Sequence, residues 1–299
     1  MNQRSELSEL KRGYLKSDFA FFHLKDQRNI QFENHYHDFN KIIIFISGNV
    51  SYLIEGKVYK LKPWDILLVG GSEIHKPVID PGSVYERIVI WINQSFLDKH
   101  STDDCNLSTC FELAAKTNFN LVRMSPESIK STRLNLAQLE EAYRSNEFGS
   151  RILSNACFMQ LIVHINREFS GTFRLQYTCE IEYDERINSI IGFINGNLDG
   201  DLSIESLSAK FFVSKYYLMH RFKSQTGYSI HSYILQKRLT AANTMLKAGR
   251  PAIQVCEECG FGDYSSFVRS FKKMFGLSPK NHYKKLMQLK KEYGSGRHF

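Results

Sequence analysis

Two stretches late in the chain carry one pattern at a fixed offset. In "FVSKYYLMHRFKSQTGYS", Leu218, Phe222, Lys223 and Gly227 hold the places that Phe267, Phe271, Lys272 and Gly276 hold in "GFGDYSSFVRSFKKMFGLSP", 49 residues further on. Apolar residues four apart, closed by a glycine, are written by the 3.6-residue period of a helix. At that period Phe267, Phe271, Met274 and Phe275 share one face, with Ser265, Arg269, Lys272 and Lys273 roughly opposite. In the earlier copy Leu218 and Phe222 point inward, and Tyr216, His220 and Lys223 outward. A short helix, a tight turn and a second helix with a polar, basic outer face is the helix-turn-helix arrangement, whose second helix suits a DNA major groove.

Charge supports that placement. The formal net charge is +8, yet residues 186–299 hold 18 lysines and arginines against 7 acids, which leaves the first 185 residues slightly acidic. A basic last third on an acidic body fits a polyanion-binding module joined to something else. With 42% hydrophobic residues the chain forms cores, and 299 residues suggest two domains, at about 150 residues per domain. No apolar run reaches the roughly 18 residues of a membrane span. "MNQRSELSELKRGY" has no signal-peptide core, so a cytoplasmic protein without membrane contact is expected. Six cysteines make no disulfide framework in a chain this long. Cys256-x-x-Cys259 lacks the second pair a structural zinc needs, and reads as two small residues buried in a short helix.

From about Phe32 to Ile92 the pattern is β. "KIIIFISGNVSYLIEG" gives two strands around Gly48-Asn49, "EGKVY" a second tight turn, and "DILLV" and "YERIVIWI" later strands. Short strands at this spacing predict an antiparallel sandwich or barrel. Residues 101–125 read as an irregular loop with short pieces of structure. "PESIKSTRLNLAQLEEAYRS" and "SRILSNACFMQLIVHINREF" read as helices; in the second, Ile152, Ala156, Met159 and Val163 share a face that Leu161, Ile162 and Ile165 widen. A helix this apolar buries most of its girth, in its own domain or against a second subunit. "SGTFRLQYTCEIEYDE" reads as a linker, and everything from Arg186 on as helical. Ser203, Ser214 and Asp263 stand as helix starts, and Gly227, Gly249 and Gly276 as stops. The expected division is 1–125, 126–170 for helical association, 171–185 as linker and 186–290 as an all-α double helix-turn-helix.

The last part resembles the AraC/XylS family of transcription regulators. The family signature falls here on Gly260, Phe261, Ser265, Phe267, Arg269, Phe271, Lys272, Gly276, Ser278, Pro279 and Tyr283, and with the first copy the resemblance covers about Ile187 to Lys285. It implies two reading units joined by a long helix, meeting major-groove segments about one helical turn apart. It places Tyr216, Met219 and His220 of the first recognition helix, and Tyr264, Ser265 and Arg269 of the second, on the bases or backbone; Lys223 and Lys272 join them as basic outer residues. The helical period itself puts Met219 and Tyr264 nearer the buried side. His220 stands where the family often has arginine. Double-stranded DNA, RNA polymerase and a second copy of the chain are the implied partners, and transcription regulation the implied role, with activator expected as its sense and repressor as the alternative.

"HYHDFNKIIIFISGNVSYLIEGKVYKLKPWDILLVGGSEIH" resembles the cupin-type sensory domain of such regulators, an antiparallel β-barrel with a small-molecule pocket between its sheets. Tyr36, His37, Trp64, His75 and Trp91 are its candidate lining. In metal-binding enzymes of that fold, histidines placed like His35, His37 and His75 act with a carboxylate. Here Asn40 and Lys41 stand where the carboxylate belongs, so no metal or other cofactor is expected. The expected protein is a two-domain, non-enzymatic transcription regulator answering a small polar, sugar-like effector. The rival expectation is a metal-dependent cupin enzyme with an appended DNA-binding domain.

Overall fold

The computed structural model describes residues 15, 17–26, 39–80, 82–172 and 181–284. The chain divides into two compact units, Met1–Glu182 and Tyr183–Phe299.

The first unit is built on isoleucine-rich strands. One sheet has the order β1 (Phe19–Asp26), β7 (Tyr85–Ile92), β2 (Asn40–Ser47), β5 (Ile66–Val69), β8 (Leu121–Val122). The other has the order β6 (His75–Ile79), β3 (Val50–Ile54), β4 (Lys57–Lys60), β9 (Ile181–Glu182). All pairings are antiparallel. Among the described residues no ladder closes the two sheets into one ring, so the β-rich unit is an open two-sheet sandwich: β5 ends its pairing on β8 and β4 on β9. Glu55 and Gly56, both at positive φ (46° and 80°), make the two-residue turn joining β3 to β4, since a tight hairpin needs that handedness.

Strand alternation sorts the first sheet into two faces. Ile42, Ile44, Ile88, Ile90, Phe19 and Phe21 share one face, which is covered by α3 (Pro126–Arg144) and α4 (Ser150–Thr172). Phe19 stacks on Phe158 at 4.6 Å, and Phe21 meets Tyr143 at 6.0 Å. The helix predicted to associate therefore spends Phe158, Leu161, Ile162, Ile165 and Phe169 on its own unit's core. Ile152 and Leu153 remain exposed, as does Leu134 on α3.

Two segments fill in the expectation. Between α1 (Gln94–His100) and α3, the short pieces of structure expected within the loop are α2 (Thr109–Thr117), whose Cys110, Phe111 and Ala114 are buried at helical spacing, and then β8. Within the expected linker, Ile181–Glu182 adds an edge strand to β4, with Lys60 Nζ 2.6 Å from Glu182.

The described residues of the second unit form helices alone: α5 (Glu185–Gly196), α6 (Ile204–Phe211), α7 (Lys215–Thr226), α8 (Ile230–Lys247), α9 (Ala252–Glu258) and α10 (Tyr264–Phe275). Ser203, Ser214 and Asp263 accept backbone N–H bonds as N-caps of α6, α7 and α10. Gly227 and Gly276 end α7 and α10 at φ 80° and 77°, the left-handed conformation glycine adopts without strain. Leu239, Ala242 and Leu246 of α8 share a core with Val255, Cys256, Cys259, Phe267 and Phe271.

Candidate functional site

The helix pairs α6–α7 and α9–α10 are the two copies of the repeated pattern, with α8 between them. In each second helix the apolar pair is fully buried: Leu218 and Phe222 in α7, Phe267 and Phe271 in α10. Opposite, Tyr216, Met219, His220 and Lys223 are exposed on α7, and Tyr264, Ser265, Arg269 and Lys272 on α10. Met219 (45% exposed) and Tyr264 (41%) correct the placement the helical period gave them. Each helix packs through a narrow apolar seam, which leaves the positions flanking it open. Tyr216 and His220 stack at 6.0 Å, and Arg269 Nη2 donates to Ser266 Oγ at 3.1 Å. The Asp263 carboxylate caps α10 through Ser265 N (3.2 Å) and Ser266 N (2.7 Å), and its bonding to Ser266 holds it below the usual carboxylate range. Arg221, basic and exposed, is tied to Asp184 at 3.1 Å, so its charge is partly spent inside the unit.

A three-way contact joins the copies. Arg238 of α8 donates from Nε to Leu198 O and from Nη2 to Gly200 O, both at 2.8 Å. Gly260, at φ 72°, closes on the same place: a Cβ there would stand 2.5 Å from Leu198 O and 2.8 Å from Arg238 Nη2. The glycine that opens the second repeat is thus required by backbone handedness and by contact.

In the first unit the inward face of the first sheet carries Lys41, Ile43 and Phe45 of β2 beside Trp91, Val89 and Arg87 of β7. The second sheet turns Tyr52 and His75 toward them. Lys41 Nζ crosses the gap to His75 Nε2 at 3.0 Å, and the His75 ring stacks on Tyr52 at 6.2 Å. His75 Nδ1 lies 3.0 Å from the Glu73 carbonyl, to which it donates, so Nε2 accepts from Lys41. Lys41 is buried, which together with the Arg87 charge lowers its pKa to about 7. Arg87 pairs with Asp26 at 2.8 Å and covers the Tyr85 ring at 4.1 Å. Trp91 packs between Phe22 and Phe39, each at 4.8 Å, and its indole N–H is buried without a hydrogen-bond partner, as is the Tyr85 hydroxyl.

Of the candidate lining, His75 and Trp91 meet in this inter-sheet space. Trp64 does not: it sits at φ 74°, and its ring lies against Arg133 of α3 at 4.8 Å, on the helical side. Tyr36 and His37, with His35, lie outside the described residues. Lys41, Tyr52, Tyr85 and Arg87 were not singled out from sequence; Lys41 drew notice only for standing where a carboxylate belongs. Among the described residues the surroundings of His75 do not fit a metal, because its Nε2 lone pair faces an amine and its Nδ1 a carbonyl. No group of three or more potential metal ligands occurs among the described residues. Cys256 and Cys259 pack in the α8 core, with Cys259 Sγ 3.7 Å from Met245 Sδ and burial pushing its thiol up to about 11.

Residues 21–162 match the AraC-like ligand binding domain, and residues 207–285 match a helix-turn-helix domain. The HTH-type transcriptional activator RhaS of Mannheimia succiniciproducens is 24% identical over 251 residues, which are 83% of this chain and 88% of RhaS. The multiple antibiotic resistance protein MarA of Escherichia coli is 34% identical over 94 residues, 31% of this chain and 74% of MarA. The probable transcriptional regulator LumQ of Photobacterium leiognathi is 35% identical over 98 residues, 32% of this chain and 40% of LumQ. A solved structure of a probable AraC family transcriptional regulator from Rhodopseudomonas palustris is 24% identical, covering 34% of this chain and 98% of that one with a TM-score of 0.32. With a ligand-binding domain ahead of two helix-turn-helix copies, the chain belongs to the AraC/XylS family and is a DNA-binding transcription regulator.

Proposed function

We propose that the chain acts in the cytoplasm as a homodimeric transcription activator under the control of a small polar, sugar-like metabolite, and has no catalytic role. In this reading residues 1–125 sense the metabolite through His75 and Trp91, residues 126–170 associate, 171–185 link, and 186–290 read DNA and work with RNA polymerase. Effector binding shifts the population between two arrangements of the reading units. RhaS, an activator by its name, supports the sign of regulation.

One observation carries the DNA-reading assignment. On both recognition helices the apolar pair is buried and Tyr216, Met219, His220, Lys223, Tyr264, Ser265, Arg269 and Lys272 all face out. Exposed aromatic groups on the first turns of such helices, with basic groups further along the same face, suit base edges and phosphates. The exposed apolar residues Leu134, Ile152 and Leu153 support the association reading. Titration of the full chain against genomic fragments at several salt concentrations tests the assignment. Binding that falls steeply with salt, as counterion release demands, and that picks out particular fragments is expected; salt-independent or indiscriminate binding overturns it.

A further inference from the structure

We infer that the inter-sheet site takes a small organic carboxylate, its acid group held between the Lys41 ammonium and the Trp91 indole N–H. This rests on the reading of the sandwich as an effector-binding domain and narrows the effector's chemistry.

Complementarity is the first ground. Lys41 and Trp91 are register partners on β2 and β7, and Lys41 Nζ lies 6.0 Å from the Trp91 ring centre. Both are buried, at 6% and 8% exposure. A buried charge is tolerated when paired, yet the hydrogen bond of Lys41 goes to His75 Nε2 and not to a carboxylate. Among the described residues the acid on this face, Asp26, is engaged by Arg87. Trp91 Nε1, a donor without acceptor capacity, is buried and unpartnered. A neutral sugar asks for acceptors as well as donors. Among the described residues around Lys41 and Trp91 donors outnumber acceptors: the indole N–H has no partner, and the acceptor at hand, His75 Nε2, is taken by Lys41. A carboxylate, which only accepts, completes that set.

The second ground is what lies along the face. Tyr85 stands six residues before Trp91 on β7, about 20 Å away at the strand rise of 3.3 Å per residue, so one acid group cannot reach both. A small acid therefore leaves Tyr85 alone, and its body meets Tyr52, which faces from β3 and stacks on His75.

Binding should also move a proton. Among the described residues, the groups around Lys41 are His75 of β6, Tyr52 of β3 and Trp91 of β7, with Arg87 further along β7 and Asp26 of β1 behind it; β5 contributes Val69. With its pKa near 7 the amine is largely neutral at pH 8. An incoming carboxylate favours the charged form, and binding then takes up close to one proton.

Calorimetric titration of the full chain at pH 8, in phosphate and in Tris, tests this with galacturonate, glucuronate and pyruvate beside galactose and glucose. At least one carboxylate is expected to bind at least tenfold more tightly than either hexose. Its heat should differ between the buffers by close to one proton's ionisation. Lys41→Met should weaken it at least tenfold and abolish the buffer dependence, while Lys41→Arg should bind without proton uptake. Hexoses binding as well as the acids, Lys41→Met keeping wild-type affinity, or silence of all three acids each overturns the inference. The sensor reading fails separately, if neither acids nor hexoses move the thermal midpoint or the DNA affinity of the full chain.

Discussion

Arg269 and Lys272 sit three residues apart on α10, both exposed, and their chemistry separates their roles. A guanidinium can pair with a guanine edge bidentately, whereas an ammonium acts as a point charge on phosphate. Arg269→Ala is expected to cost roughly 1–3 kcal/mol on the cognate site and little on a scrambled one; Lys272→Ala should weaken both alike. Equilibrium binding to the two duplexes checks this, and equal losses for Arg269→Ala would reassign it to phosphate. Lys41 gives a second residue-scale prediction. Its folded pKa, about 7, lies below the 10.5 of an unperturbed lysine. Between those values the unfolded chain binds the extra proton, so stability contributed by this site falls as pH drops from 10.5 to 7 and is level below. Lys41→Met should therefore be more stable than wild type at pH 7, by on the order of 3–4 kcal/mol after loss of the His75 hydrogen bond, with the gain vanishing toward pH 10.5. Urea unfolding across that range measures it; a pH-independent difference would show an amine charged in the folded state.

At the scale of elements, the second unit depends on how α8 fixes the two copies. Arg238 ties α8 to the loop between α5 and α6, and Gly260 packs against the same carbonyl. Gly260→Ala should destabilise by more than about 1 kcal/mol, since alanine is strained at positive φ. Arg238→Ala leaves two carbonyls without their donor. Both should reduce affinity for a site with two correctly spaced segments more than for a single segment, in electrophoretic mobility assays on duplexes of each kind. Equal losses on both would mean the contact only stabilises. These elements were legible in sequence because short helices write their seams and caps plainly: Leu218, Phe222, Phe267, Phe271, Ser203, Ser214 and Asp263. The inter-sheet cluster was not, because alternation says which residues share a face and not what stands across the gap. Nothing near Lys41 in the sequence names His75 as its partner. Trp64 misled for a similar reason, since a positive φ in the turn before Asp65 sends its ring to α3. In α4 the stripe from Ile152 to Val163 marked the helix, while Phe158 and Phe169 decide which side meets the sheet.

For the whole molecule, charge and apolar exposure are distributed by task. The basic excess lies after Arg186, whereas exposed Leu134, Ile152 and Leu153 lie in the first unit, on helices whose inner faces are already packed on the sheet. Core residues such as Ile162 cannot test association, because a glutamate there would unfold the unit. Leu134 and Ile152 can, being 63% and 74% exposed. The variant Leu134→Glu with Ile152→Glu should keep the wild-type circular dichroism spectrum and an unfolding free energy within about 0.5 kcal/mol per site of wild type, yet sediment as a monomer where wild type sediments as a dimer. Joining two readers makes the second contact intramolecular, which raises apparent affinity by about a hundredfold or more. The monomeric variant should therefore lose that advantage on paired half-sites and match wild type on one half-site. A folded variant that still sediments as a dimer would put the interface on another surface. A wild-type chain that sediments as a monomer both free and on paired half-sites would remove the dimer from the mechanism.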